Sequence, residues 1–311
     1  MSQNDMPVHG AGSAPAHHGE ILQGVFHDNK GHLTRALVTL QCPDWESHAI
    51  FRPSPRQTDI TCTPGMWKAR RAAVVSMREF SADRSQVTGG HVDIRSNVPR
   101  GIGMGSSTAD VTAVIRAIAD FHGMAPTAEE IGRIAVDVEC ASDPIMIDDR
   151  VVLFSHREGT VLETLGRQLP SMIVVGCDAG PGTGSIDTLA LPPAVYSTAD
   201  IDAFRFLRSE LRAAVATGDV ARLARVATSS ALINERFLPK SALDFLLDLC
   251  ERTGGCGIQI AHSGTVAGVI FDSRRDDVGE NVDRCVSGLE KGGLSPTRII
   301  TCCQPSLPVD A

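Results

Sequence analysis

The chain has 311 residues, 42% hydrophobic and 21% charged, enough to bury one large core or two modest ones, and two domains are expected. A net charge of −8 argues against broad nucleic-acid binding, which needs basic side chains to neutralise phosphates. Nine scattered cysteines without C-x-x-C spacing speak against a zinc site and fit reduced thiols, no signal-peptide pattern opens the chain, and no apolar run approaches the ~20 residues that cross a bilayer, so a cytoplasmic protein without membrane contact is expected.

Residues 1–14 are polar and rich in Gly, Ser and Pro, and are expected to form a flexible tail. Ile21–Phe26 and Leu33–Leu40 read as strands around an Asp28-Asn-Lys-Gly31 turn, with Ala49–Arg52 and Asp59–Thr63 extending the sheet. Pro64-Gly65 opens a predicted helix through Phe80, with Met66 and Trp67 at its start read as packing residues. His91–Val98 reads as a strand leading into a glycine-rich loop. Val111, Val114, Ile115, Ile118 and Phe121 then follow helical spacing, and Gly123 ends that helix. Thr127-Ala-Glu-Glu130 fits a capping box ahead of Ile131, Ile134, Ala135 and Val138. Val151–Ser155 and Met172–Cys177 read as buried strands. Helical patterns cover 199–216, 219–234, 239–253 and 275–291, and strand-like runs cover Gly257–His262, Thr265–Phe271 and Thr297–Cys302. A domain boundary is expected near 155–170, in the charged stretch His156 to Gln168.

The loop carries the chemistry. Pro99-Arg-Gly-Ile-Gly-Met-Gly-Ser-Ser-Thr-Ala109 has three alternating glycines ahead of a helix start. Glycine lets backbone N–H groups approach a bulky anion, and a helix N-terminus adds free donors and partial positive charge. Together they make a phosphate cradle. A Walker A loop is excluded, because no lysine lies between Lys68 and Lys240; main-chain amides are expected to hold the phosphates without one. A dinucleotide fingerprint fails too: Ser106 stands where its third glycine belongs, and Asp120 lies within a helical pattern.

The loop resembles the phosphate loop Pro-x-x-x-Gly-Leu-Gly-Ser-Ser-Ala of the GHMP superfamily of small-molecule kinases, which includes galactokinase, homoserine kinase and mevalonate kinase. Gly254-Gly-Cys-Gly-Ile-Gln-Ile-Ala-His-Ser-Gly-Thr-Val-Ala-Gly268 is similar to that family's third motif, and His18-Gly-Glu-Ile-Leu-Gln-Gly24 stands at the position of its first. Within the family, Gly19-Glu-Ile-Leu-Gln-Gly24, Ala261-His-Ser-Gly-Thr-Val266 and Asp178-Ala-Gly-Pro-Gly-Thr-Gly-Ser-Ile-Asp-Thr188 resemble the L-threonine kinase branch of cobalamin biosynthesis. One departure stands out: relatives carry Gly-Thr-Cys before Gly-Glu, where this chain has Ala16-His17-His18.

The resemblance implies a two-domain α+β fold, with a ribosomal protein S5 domain 2-like N-terminal domain over 15–165, a ferredoxin-like C-terminal domain over 166–311, and the active site between them. It implies an ATP-dependent kinase that uses Mg²⁺ to phosphorylate the hydroxyl of a small polar metabolite, L-threonine or a related hydroxy amino acid. Alternatives are a sugar, an amino alcohol or a natural-product intermediate as acceptor, or a catalytically inactive ligand sensor. A homodimer is compatible with it. By resemblance, Pro99, Arg100, Gly101, Gly103, Gly105, Ser106, Ser107 and Thr108 bind the nucleotide phosphates, with Arg100 alternatively meeting an acceptor carboxylate. Ser107 and Glu139 hold the metal, and Asp143 accepts the acceptor's proton or orients its hydroxyl, with Asp148 and Asp149 as rivals. His18, Glu20, Gln23, Asp187, His262 and Ser263 are candidates for the acceptor site, with Thr183 and Thr188 as weaker ones.

Overall fold

The computed structural model describes residues 9–54, 56–81, 89–180 and 194–302. Asp187, Thr183 and Thr188 lie outside them. Two long antiparallel strands, β1 (Gly10–His27) and β2 (Leu33–Pro53), form the spine. On one flank β2 pairs with β4 (Gly90–Ser96), which pairs in parallel with β3 (Ile60–Cys62). On the other flank β1 meets β8 (Gly257–Ile260), followed by β9 (Val266–Asp272), β7 (Met172–Asp178) and β10 (Ser295–Cys302), all antiparallel. The hairpin β5 (Val151–Ser155) and β6 (Thr160–Gly166) hangs on β2. The sheet therefore runs across the expected boundary near 155–170, and among the described residues a single pair, Glu20 opposite Ile260, joins its halves.

Helix α2 (Ser106–Phe121) lies against β1 and β2 with twelve of its sixteen residues buried, which makes it the centre of the first core. Helices α1 (Trp67–Phe80) and α3 (Ala128–Glu139) flank it, and the expected Thr127–Glu130 capping box is formed. Helices α4 (Thr198–Thr217) and α5 (Val220–Asn234) close a second core over Ile21, Leu22 and Phe26. Helices α6 (Leu243–Arg252) and α7 (Val278–Lys291) cover a third, over β7, β8 and β9. Among the described residues, no helix is long and apolar enough to cross a membrane.

Several boundaries differ from the sequence pattern. Gly10–Ala14, expected in a flexible tail, pair with Ser47–Phe51 as the first part of β1. Their glycines reflect close packing rather than mobility: a Cβ on Gly12 would stand 2.5 Å from the Ala117 nitrogen of α2. β2 continues through Pro43, because Pro43, Asp44 and Trp45 bulge out of the ladder between Cys42 and Glu46, where Pro43 has no N–H to give. β6 replaces part of the expected boundary stretch. Its signal is weak because Glu163 interrupts the apolar run, and that carboxylate is held beneath α4 by Arg208 and Arg212 at 2.6 Å and 2.5 Å. Helix α7 starts at Val278 rather than 275, since Arg275 turns to bind Asp277.

Gly12→Ala should therefore drive a methyl into the α2 backbone and cost about 1–3 kcal/mol, read as a lower urea midpoint. An unchanged midpoint would contradict this packing.

Candidate active site

The loop between β4 and α2 takes its shape from Gly101, Gly103 and Gly105, with φ of 82°, 87° and 69°. Side chains rarely adopt such values. Gly105 is the N-cap of α2, and no side chain caps the helix, so its first N–H groups are open to an anion. The Ser107 hydroxyl instead donates to Glu139 Oε1 at 2.5 Å. Lys68 Nζ donates to the same oxygen at 3.3 Å. Glu139 Oε2 is buried without a hydrogen-bond partner among the described residues. Burial raises the Glu139 carboxyl above the usual range, against the pull of Ser107 and Lys68.

A second loop supports the first. Gly264, between β8 and β9, abuts Gly103, and a Cβ on Gly103 would lie 2.5 Å from Gly264 Cα. The N–H groups of Thr265 and Val266 donate to the Ile102 carbonyl at 2.9 Å and 3.1 Å. The buried Lys240 ammonium donates to the Gly264 carbonyl. Burial brings its pKa down to about 8, with Glu20 and Glu235 partly offsetting that.

A bulge in β1 sets the third side. The register shifts between His17 and Glu20 and again before Leu22, around Gly19 at φ 70°. His17 and Glu20 are thereby turned, fully buried, toward Asp143 and His262 of the cleft wall, whereas His18 turns into the far sheet. His17 Nε2 bonds Asp143 Oδ2 at 3.0 Å. Glu20 accepts from the His262 backbone N–H at 2.6 Å and pairs with His262 Nδ1 at 3.0 Å. Asp143 is delivered by the end of α3, where Cys140 is left-handed (φ 65°) and the Ser142 N–H bonds the His156 carbonyl. Burial would raise the Asp143 carboxyl, but His17, by charge and hydrogen bond, and His262 hold it well below the usual range. Ligand atoms of His17, Glu20 and Asp143 lie within 4.8 Å of one another. They are already paired among themselves and with His262, which makes them a charge network rather than an open coordination site.

These elements surround a cleft of about 500 Å³. It is lined by Gly101, Gly103, Gly105, Ser106, Ser107, Thr108, Glu139, Asp143, His262 and Ser263, and also by Trp67, Lys68, Arg71 and His156. A smaller cavity of about 100 Å³ adjoins it, lined by Gln23, Arg35, Tyr196, Asn234 and Lys240. His156 and His262 line both.

Most of the expected residues meet here, and the exceptions have physical causes. His18 and Glu20 do not line either cavity: His18 is fully buried, with Nε2 bonded to Thr297 and Nδ1 to Gln259, and Glu20 is buried with both oxygens committed to His262. Arg100 turns to the buried Asp110, which also accepts from Ser47, and lies outside the cleft lining, as does Pro99. Asp148 and Asp149 pair with Arg116 and Arg150, away from the cleft. Trp67, expected to pack, is 64% exposed at the cleft. Lys68 supplies the cation the loop itself lacks, from α1 rather than from the loop. Lys68, Lys240, His156 and Arg35 were not singled out from sequence.

Residues 68–151 match the GHMP kinases N terminal domain, and residues 211–287 match the GHMP kinases C terminal domain. The chain is 28% identical over 280 residues to an L-threonine kinase of Citrobacter freundii, covering 85% of this chain and 87% of that protein. It is 26% identical over 265 residues to an L-threonine kinase of Salmonella typhimurium, covering 85% and 83%. Its fold is similar to a homoserine kinase from Cytophaga hutchinsonii, with a TM-score of 0.68 at 13% identity over 97% of each chain.

The buried histidines make stability depend on pH in a testable way. Burial lowers His18 to about 4 and His156 to about 3, so the folded state holds fewer protons than the unfolded below the ordinary value of 6.5. His17 is raised, and His262 is raised to about 9, because Asp143 and Glu20 outweigh burial, so above 6.5 the folded state holds more. Glu139 offsets part of the acid side, and Lys240, lowered to about 8, offsets part of the basic side. Stability should peak near pH 6.5 and fall on both sides between about pH 5 and 8, at roughly 1 kcal/mol per pH unit. Urea midpoints across that range check this; a flat profile would contradict it.

Proposed function

On the premise that the chain belongs to the GHMP kinases, phosphotransferases with an alcohol group as acceptor, we propose that it transfers the γ-phosphoryl of ATP to the hydroxyl of L-threonine or a related hydroxy amino acid. The observation that carries this is the uncapped, glycine-rich start of α2, which opens into the same cleft as Asp143. With a division between the two domains near residue 165, the phosphate loop belongs to the first domain and Lys240 and His262 to the second. Transfer then takes place where they meet.

The amides of 101–108 and the helix end hold the polyphosphate, and Lys68 adds positive charge at its side. Mg²⁺ prefers hard oxygen ligands, and the Ser107 hydroxyl with the unpartnered Glu139 Oε2 fits that preference. Bound there, the metal would neutralise charge on the phosphate oxygens. Asp143 faces the acceptor hydroxyl. Because its proton affinity is held low, it serves first to orient that hydroxyl and takes the proton late, as the O–P bond forms. The acceptor fills the smaller cavity, its carboxylate toward Lys240 and Arg35 and its body against Gln23. Asp187 is the remaining candidate for its ammonium.

A second acceptor class is motivated by His17, which stands where relatives carry a different residue and touches Asp143 directly. A sugar, an amino alcohol or a natural-product intermediate would then replace threonine.

An acceptor panel scored by ADP release tests both. Turnover should be greatest with L-threonine or a close hydroxy amino acid, and Asp143→Ala should lower kcat about 10²–10⁴-fold with nucleotide binding retained. Turnover confined to sugars or amino alcohols would replace the acceptor. Full activity of Asp143→Ala would remove that residue from the mechanism.

A further inference from the structure

His262 stands where the phosphate cleft and the smaller cavity meet, with its ring against that of His156 and, among the described residues, its ring hydrogen bond made to Glu20 alone. We propose that His262, locked by Glu20, is a catalytic residue that presents a charged Nε2–H to the phosphoryl group during transfer. The proposal rests on the kinase function above and adds a residue to it.

The grip is two-pointed. One Glu20 oxygen accepts from the His262 backbone N–H at 2.6 Å, and the other from ring Nδ1 at 3.0 Å. Ring tilt and the Nδ1 proton are thereby fixed. Nε2 is on the opposite edge and makes no hydrogen bond among the described residues. The side chain is 18% exposed, whereas Glu20 is sealed, so the Nε2 edge is the part that opens into the cavities. His262 is also two residues from Gly264, which touches Gly103 of the phosphate loop, so the ring cannot drift from the phosphates independently.

With Nδ1–H committed to Glu20, a neutral ring would turn a lone pair toward phosphate oxygens and repel them. Only the imidazolium offers a donor there. Its surroundings decide the charge. Burial, His17 on β1, His156 after β5 and Lys240 before α6 oppose the proton, and Arg35 and Arg157 lie beyond His156. Glu20 and Asp143 favour it and prevail, leaving the ring charged up to about pH 9.

The step balances without a proton change on His262. The acceptor oxygen forms a bond to Pγ, and the bond from Pγ to the β–γ bridging oxygen breaks. That electron pair leaves with ADP, and the hydroxyl proton passes to Asp143. His262 meets the charge on the equatorial oxygens as they cross.

The test combines kinetics with ¹⁵N imidazole titration of the full chain. His262→Gln should lower kcat about 10²–10³-fold while KM for ATP and acceptor changes less than about tenfold. In Glu20→Gln, the loss of kcat with rising pH should move from near 9 toward the ordinary histidine value of about 6.5. Should Glu20→Gln fail to fold, the wild-type titration decides instead: the His262 ring should be charged at neutral pH, and its Nε2 signal should shift when a non-hydrolysable ATP analogue and Mg²⁺ are added. A His262→Gln kcat within about threefold of wild type, a ring neutral at pH 7, or an Nε2 signal indifferent to the analogue would overturn the proposal. Failure of the kinase reading is distinguishable, since the wild type would then release no ADP with any acceptor, whatever the ring's charge.

Discussion

Two glycines in contact, Gly103 and Gly264, hold the site together. They are far apart in sequence and lie on loops of different halves of the sheet. With no Cβ on either, the loops close to backbone distance, and the Ile102 carbonyl collects the N–H groups of Thr265 and Val266. Lys240 fastens the second loop by its Gly264 carbonyl. This leaves the N-terminal end of α2 uncapped and facing a cleft, the arrangement in which a helix end can hold phosphate.

Behind that contact the charges alternate: His17 between Asp143 and Glu20, then His262 between Glu20 and the cavities. Buried charges are costly alone and tolerable when each has a partner of opposite sign. Each group constrains the next, so Asp143 is kept ionised and aimed and His262 is kept charged. The β1 bulge makes the arrangement sterically available by turning His17 and Glu20 to the same side. The pairing of Glu20 with Ile260, which joins the two halves of the sheet, puts a residue of this network at their seam.

Much of this was legible from the residues. The loop, the order of the three family motifs, the helix spacing of α2 and the α3 capping box all express local rules, and the chain obeys them. The roles of Glu139, Asp143 and His262 came from resemblance, and the fold places those side chains around one cleft. Unread features depend on long-range geometry. The β1 bulge around Gly19, which no local pattern in one sequence marks, sends His18 toward Thr297 and Gln259 and Glu20 toward His262. Lys68 is close in space to Ser107 only because α1 packs against α2. Gly10 and Gly12 looked like tail composition until α2 lay across them.

The account depends most on the two-glycine contact, and one measurement addresses it directly: calorimetric binding of a non-hydrolysable ATP analogue to Gly264→Ala. A methyl there would run into Gly103 and the Ile102 carbonyl and push the phosphate loop out of shape. Affinity should fall by about 30-fold or more, roughly 2 kcal/mol, with the far-ultraviolet circular dichroism of the wild type retained. Wild-type affinity in that variant would show that the nucleotide is held elsewhere.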